Sequence, residues 1–297
     1  MSRSEEQLAA VANSTGFIAA LDQSGGSTPK ALKLYGVDES EYSSDEEMFL
    51  KVHEMRTRIM TNGHFTRDKI MATILFENTM DRTVAGKPTA RYLWEDKGIV
   101  PILKVDKGLA DEENDVQVMK PMPELDALLD KALDNGVFGT KMRSVIKTDN
   151  PKGIGDVVEQ QFETGIRILN KGLVPIIEPE VDIHSPRKQA AESILRSELL
   201  SRLDALETGQ KVIFKLTLPE IPDFYLDCIQ HDNILKVVAL SGGYSREEAN
   251  RRLGENRGMS ASFSRALTEG LNVAQSDKEF SRVLGESIDA IVAASRT

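Results

Sequence analysis

Residues 212–220, VIFKLTLPE, decide how the chain is read. Val212, Ile213, Phe214, Leu216, Thr217 and Leu218 are β-branched, aromatic or aliphatic, and Pro219 ends the run, so the segment reads as a buried strand. Lys215 stands in its middle. A lysine embedded in apolar surroundings loses hydration in its charged form, which brings the neutral amine within reach near neutral pH. A neutral amine can attack a carbonyl and form a Schiff base. A lone strand lysine can equally snorkel to solvent at the rim, so its meaning depends on its neighbours.

Working outward, the stretches 16–21, 70–76, 99–105, 138–145, 174–181, 235–240 and 261–267 read as strands of the same kind. Helical periodicity or exposed charge marks 4–13, 36–68, 88–97, 124–135, 156–171, 186–207, 220–231, 245–254 and 277–294. Met48, Val52, Met55, Ile59 and Met60 form a core-facing stripe rather than a cofactor box, Trp94 anchors the short helix, and 108–120 is a polar loop. Strand and helix alternate with no linker and no other repeat. The expectation is an α/β protein, a single parallel (β/α)8 TIM barrel forming one domain over 1–297.

Composition narrows the partners. With 40% hydrophobic and 28% charged residues, the 297-residue chain is an ordinary globular protein able to bury a large core. A net charge of −10 disfavours nucleic acid and anionic membrane surfaces, so an anionic substrate needs a local cationic pocket. No signal peptide or membrane span is visible. The one cysteine, Cys228, cannot form an internal disulfide, which suits a reducing cytoplasm. His53, His64, His184 and His231 are scattered without zinc spacing, so neither a metal nor another cofactor is expected.

Charges recur where a barrel strand should be apolar on both faces. Asp22, Lys104, Asp106, Lys141, Arg143, Glu178, Glu180, Lys215 and Arg265 fall in the later part of their strands or just beyond. That is the end where barrel active sites lie. Strand alternation puts Lys104 with Asp106, Lys141 with Arg143, and Glu178 with Glu180 on shared faces. A purely structural ion-pair plug would seldom repay its desolvation. The set holds an amine nucleophile, carboxylates for proton transfer, and cations beside the small-residue turns Ser24-Gly25-Gly26-Ser27 and Ser241-Gly242-Gly243. Cations with free backbone N–H groups suit phosphate.

The motifs ALDQSGGS (20–27), LKVDKG (103–108), FGTKMRS (138–144), VPIIEPE (174–180), VIFKLTLP (212–219), LSGG (240–243) and SFSRAL (262–267) run in order along nearly the whole chain. Together they resemble class I fructose-1,6-bisphosphate aldolase in its shorter bacterial form. The resemblance implies a sugar-phosphate substrate and Lys215 as the Schiff-base lysine. It implies Glu178 as acid and base for carbinolamine dehydration, and Lys141 as support for carbinolamine formation. Asp22 would take the proton from the hydroxyl whose carbon–carbon bond breaks. Lys104 would face substrate hydroxyls, with Arg143 beside it, and Glu180 would hold the neighbouring lysines. Ser241, Gly242, Gly243 and Arg265 would bind the phosphate nearer the carbonyl, and Ser24 and Ser27, with Lys30, the other. The resemblance leaves room for a homo-oligomer.

Two features depart from vertebrate-type relatives. There the Schiff-base lysine directly precedes a proline, whereas Lys215 stands four residues before Pro219, with Lys211 at the strand's polar entrance. Those relatives also end in a tail with a C-terminal tyrosine, and Ser295-Arg296-Thr297 stands here. Three other readings are open on the residues alone. They are a Schiff-base barrel of transaldolase or deoxyribose-phosphate aldolase type, a non-catalytic sugar-phosphate binder, and a metal-dependent aldolase.

Overall fold

Apolar runs become strands here because both of their faces are covered. The computed structural model describes residues 2–297 and contains eight parallel strands. They are β1 (Phe17–Leu21), β2 (Ile70–Leu75), β3 (Val100–Lys104), β4 (Gly139–Ile146), β5 (Val174–Val181), β6 (Val212–Thr217), β7 (Ile234–Leu240) and β8 (Met259–Phe263). Each pairs with the next in sequence, β8 returns to β1, and β3 pairs with β4, so the sheet closes into a (β/α)8 barrel. Closure leaves no free edge.

The principal helices are α1 (Arg3–Asn13), α2 (Ser27–Leu34), α3 (Asp45–Thr61), α4 (Leu125–Asp134), α5 (Pro151–Asn170), α6 (Lys188–Asp204), α7 (Arg246–Gly254) and α8 (Asp277–Ser295). Their starts follow from capping chemistry. The Asn150 side chain accepts from Lys152 N and Gly153 N, with Pro151 as the first helical residue of α5. Ser2 and Glu5 close a reciprocal capping box on α1.

The core has two layers. Between sheet and helices pack Met48, Val52, Met55 and Ile59 of α3, with Phe162 of α5 edge-on to Phe214 of β6 at 6.2 Å. Inside the barrel, Ile18, Ala20, Ile74, Ile102, Ile176, Ile213 and Val238 fill the lower half, and Val11 of α1 joins that cluster at the N-terminal end. The upper half of the interior is left to charge. That division positions the site at the C-terminal ends of the strands.

Several elements differ from the sequence expectation. Residues 261–267 are not one strand: β8 stops at Phe263, Ser264 turns the chain, and Arg265 begins the one-turn helix Arg265–Thr268. The helix expected over 220–231 shrinks to Leu226–Ile229, because Pro219 and Pro222 delay it. Only Asp45–Thr61, after the short turn Glu39–Glu41, is helical within 36–68. The 108–120 loop contains a two-residue strand, Val116–Gln117, antiparallel to β4. In the segment 88–97, Tyr92 and Leu93 are buried and Trp94 is half-exposed, so the anchoring is shared. The 27–34 helix α2 was not anticipated.

Candidate active site

Strand register brings the charges together. Lys104 is level with Lys141, Arg143 with Glu178, and Lys215 with Val238. The side chains of Lys104, Lys141, Arg143, Glu178 and Lys215 line a cavity of about 520 Å³ at the C-terminal mouth of the barrel. Asp22, Ser24, Ser27, Lys104, Lys141, Arg143, Glu178, Glu180, Lys215, Ser241, Gly242 and Arg265 all border it, as does Lys30. Gly243 stands behind the wall, where a Cβ would lie 3.2 Å from the Arg265 guanidinium.

At the centre, four buried side chains form a chain of ion pairs. Lys215 Nζ lies 2.9 Å from Glu178 Oε1, Lys141 Nζ lies 3.1 Å from Glu178 Oε2, and Lys141 Nζ lies 2.7 Å from Asp22 Oδ2. Burial alone would raise the Asp22 carboxyl, but Lys141, Lys215 and Lys104 outweigh it and hold that group well below the usual carboxylate range. Burial alone would lower Lys141, but Asp22, Glu178 and Asp106 keep its ammonium protonated beyond the ordinary lysine range. Lys104 Nζ is tied to the Asp106 carbonyl at 2.7 Å and to its carboxylate at 2.6 Å. Arg143 pairs with Glu180, which together with Glu178 and Asp106 outweighs burial and raises the guanidinium further.

Four cations therefore face four carboxylates, and Arg265 and Lys30 add positive charge at the mouth. A protein of net charge −10 thus carries a cavity whose lining has two more cations than carboxylates. The wall also presents buried polar atoms without hydrogen-bond partners among the described residues: Asp106 Oδ2, Ser262 Oγ and Glu178 Oε2, the last touching Lys141 but not aligned with it. Such atoms are rare in native interiors and cluster at functional sites. Among the described residues no cluster of histidine, cysteine and carboxylate groups is arranged to hold a metal.

Two positioning contacts escaped the sequence reading. Gln161, fully buried on α5, accepts from Glu178 N at 2.8 Å and donates to Glu178 O and to Ser144 Oγ, each at 3.0 Å. It clamps the main chain of Glu178 from outside the barrel. Arg56, fully buried on α3, donates to the carbonyl and side chain of Gln23. A signal for Arg56 existed: it lies four residues after Val52 and three before Ile59, on the apolar face of its helix.

The sequence model of the family "Fructose-bisphosphate aldolase class-I" matches residues 4–218. A fructose-bisphosphate aldolase class 1 of Synechocystis is 59% identical over 293 residues, covering 99% of this chain and 98% of its own. Another, of Porphyromonas gingivalis, is 56% identical over 291 residues, covering 98% and 99%. The solved structure of fructose-bisphosphate aldolase from Plasmodium falciparum, in complex with TRAP and a small-molecule inhibitor, superposes with a TM-score of 0.75. It is 20% identical and covers 99% of this chain and 95% of that one, a likeness of fold.

Proposed function

The chain belongs to the class I fructose-bisphosphate aldolase family, and on that premise we propose how its buried charges carry out the family's reaction. The reaction is the reversible cleavage of fructose 1,6-bisphosphate to dihydroxyacetone phosphate and glyceraldehyde 3-phosphate through a Schiff base, a step of glycolysis and gluconeogenesis. The observation that carries the assignment is Lys215 Nζ at 2.9 Å from Glu178 Oε1 inside the cavity.

Glu178 takes a proton from the Lys215 ammonium, leaving a neutral amine and a carboxylic acid. The amine attacks carbon 2 of the ketose, a proton of the new ammonium passes to the alkoxide to give the carbinolamine hydroxyl, and Glu178 adds its own proton to that hydroxyl, which departs as water and leaves the iminium. Lys141, between two carboxylates, stabilises the oxygen as charge develops on it. Asp22, ionised throughout the neutral range, accepts the proton of the carbon-4 hydroxyl. The carbon 3–carbon 4 bond then breaks, and its electrons flow into the iminium to give an enamine. Protonation and hydrolysis of the enamine release dihydroxyacetone phosphate and restore Lys215.

Phosphates at both ends orient the ketose. Ser241, Gly242, Gly243 and Arg265 hold the one near carbon 1, and Ser24, Ser27 and Lys30 the other. Lys104 meets substrate hydroxyls, and Arg143 with Glu180 steadies the lysine row. Fixing the reacting groups in this way is worth several kcal/mol, up to about 7–11 in well-oriented systems. We further propose that the chain works as one barrel domain over 1–297, and in the cytoplasm, where the lone buried thiol of Cys228 stays reduced. No helix among the described residues is long and apolar enough to cross a membrane.

The test is intact mass after incubation with dihydroxyacetone phosphate and sodium borohydride, followed by peptide mapping. A reduced adduct on the peptide holding Lys215 supports the mechanism. An adduct on any other lysine, or none where a known imine-forming enzyme is trapped, overturns it.

A further inference from the structure

Arg56 is 0% exposed, yet among the described residues no carboxylate lies within ion-pair distance of it. Its Nε has no hydrogen-bond partner among those residues. A buried charge without a contacting counter-ion is costly to hold, and the Asp22 carboxylate, beyond ion-pair distance, offsets only part of the burial that lowers this guanidinium's pKa. What the guanidinium grips is therefore informative. Nη2 donates to Gln23 O at 2.6 Å and to Gln23 Oε1 at 3.1 Å, while Nη1 donates to Thr79 Oγ1 at 2.6 Å.

Gln23 is itself a strut. With its Oε1 held by Arg56, its Nε2 is turned to donate to Ser264 Oγ at 2.5 Å. Gln23 immediately precedes Ser24, whose N–H and carbonyl close the 24–27 turn on the Ser27 hydroxyl. Ser264 immediately precedes Arg265, whose guanidinium rests against Gly243. One hydrogen-bonded line thus runs from α3 through the β1 loop to the β8 loop. It joins the two anion-facing ends of the cavity through side chains that touch neither the imine lysine nor its carboxylate.

We propose that Arg56 is a positioning residue that sets the span between the two phosphate sites, making the enzyme selective for a ketose phosphorylated at both ends. The inference rests on the two-phosphate reading above. A ligand with a single phosphate needs only one end of the cavity, so its turnover is insensitive to the span. A bisphosphate must satisfy both ends at once, and a strut that slackens lets one anchor drift.

The test compares kcat/KM for fructose 1,6-bisphosphate and fructose 1-phosphate in the full chain and in Arg56→Met, Arg56→Lys and Gln23→Leu. The bisphosphate-to-monophosphate ratio is expected to fall about tenfold in Arg56→Met, the effect of losing one charge-assisted hydrogen-bonded strut. Arg56→Lys falls less, because an ammonium reaches the Gln23 carbonyl but cannot fork to Thr79 as well. Gln23 is only half-buried, so Gln23→Leu breaks the line without leaving a hole in the core and carries the test if Arg56→Met does not fold. An unchanged ratio in Gln23→Leu and Arg56→Lys, with only the melting temperature lowered, makes Arg56 a packing element and overturns the proposal. A wild-type protein that turns over both ketoses equally overturns the two-phosphate reading itself, and shows this before any variant is made.

Discussion

Glu178 Oε1 and Lys215 Nζ face each other at 2.9 Å on neighbouring strands, both side chains almost completely buried. The pair makes the carboxylate both the acceptor of the lysine's proton and the donor for dehydration. Glu178→Gln keeps the shape and removes both abilities. Its kcat is expected to fall by about 10²–10⁴, the usual reach of one general acid–base group, with KM changed little. Borohydride trapping should slow by a similar factor, because imine formation is the step affected. A kcat within a few-fold of wild type would reassign the proton transfers to Asp22.

Asp22 and Lys141 make a prediction about pH with a definite sign. The Asp22 carboxyl is depressed in the fold, so its contribution to stability is full above the ordinary value of 3.8 and is lost as pH falls through the lower folded value. The Lys141 ammonium is raised, so its contribution is full below 10.5 and is lost only as pH rises through the higher folded value. Between those limits the pair contributes a constant amount. The melting-temperature difference between wild type and Asp22→Asn should therefore be flat from about pH 5 to pH 9 and shrink below about pH 4. A difference that varies through neutrality would mean that Asp22 is not held ionised.

Gln161 bonds the N–H and the carbonyl of Glu178 with a single side-chain amide. Gln161→Leu leaves those groups buried and unpaired, which costs about 1–3 kcal/mol of stability. If the clamp also aims the carboxylate, kcat should drop by about tenfold or more in the folded protein while KM holds, since a displaced general acid is lost from the transition state and not from binding. Gln161→Glu, which keeps the acceptor towards Glu178 N, should recover part of the rate. Equal kcat in all three folded proteins would confine Gln161 to a structural role.

The barrel and the central charges were legible because they depend on local pattern. A strand covered on both faces is apolar throughout, so Lys215 within VIFKLT or Glu178 within VPIIEPE stands out without any knowledge of its neighbours. Arg265 was misplaced on a strand because SFSRAL is short and apolar enough to continue β8. The Ser264 carbonyl, which accepts from Leu267 N and Thr268 N, starts a helical turn there instead. Arg56 and Gln161 were only half legible, for a different reason. Each stands on the apolar face of its helix, four residues after Val52 and Val157, which marks it as buried but not what it holds. Their partners Gln23 and Glu178 are 33 and 17 residues away, brought close only when each helix packs against the neighbouring strand or loop.

The LSGG turn offers the last test. Gly242 has φ +59°, in the left-handed region, and a Cβ there would lie 2.6 Å from Ile183 Cγ2. Gly242→Ala therefore meets two penalties: about 1–2 kcal/mol for an L-residue in that conformation, and a steric clash that pushes Ile183 or the turn aside. Ile183 follows β5 and also flanks Gly243, so the displacement reaches the backbone beside Arg265. If this turn holds the carbon-1 phosphate through its N–H groups, Gly242→Ala should raise KM for dihydroxyacetone phosphate in the condensation direction by about tenfold. The saturated rate of imine trapping at Lys215 should change much less, because the Lys215–Glu178 pair is supported by β5 and β6. KM unchanged in a folded Gly242→Ala protein would remove the turn from the phosphate site and leave Arg265 as the anchor at that end.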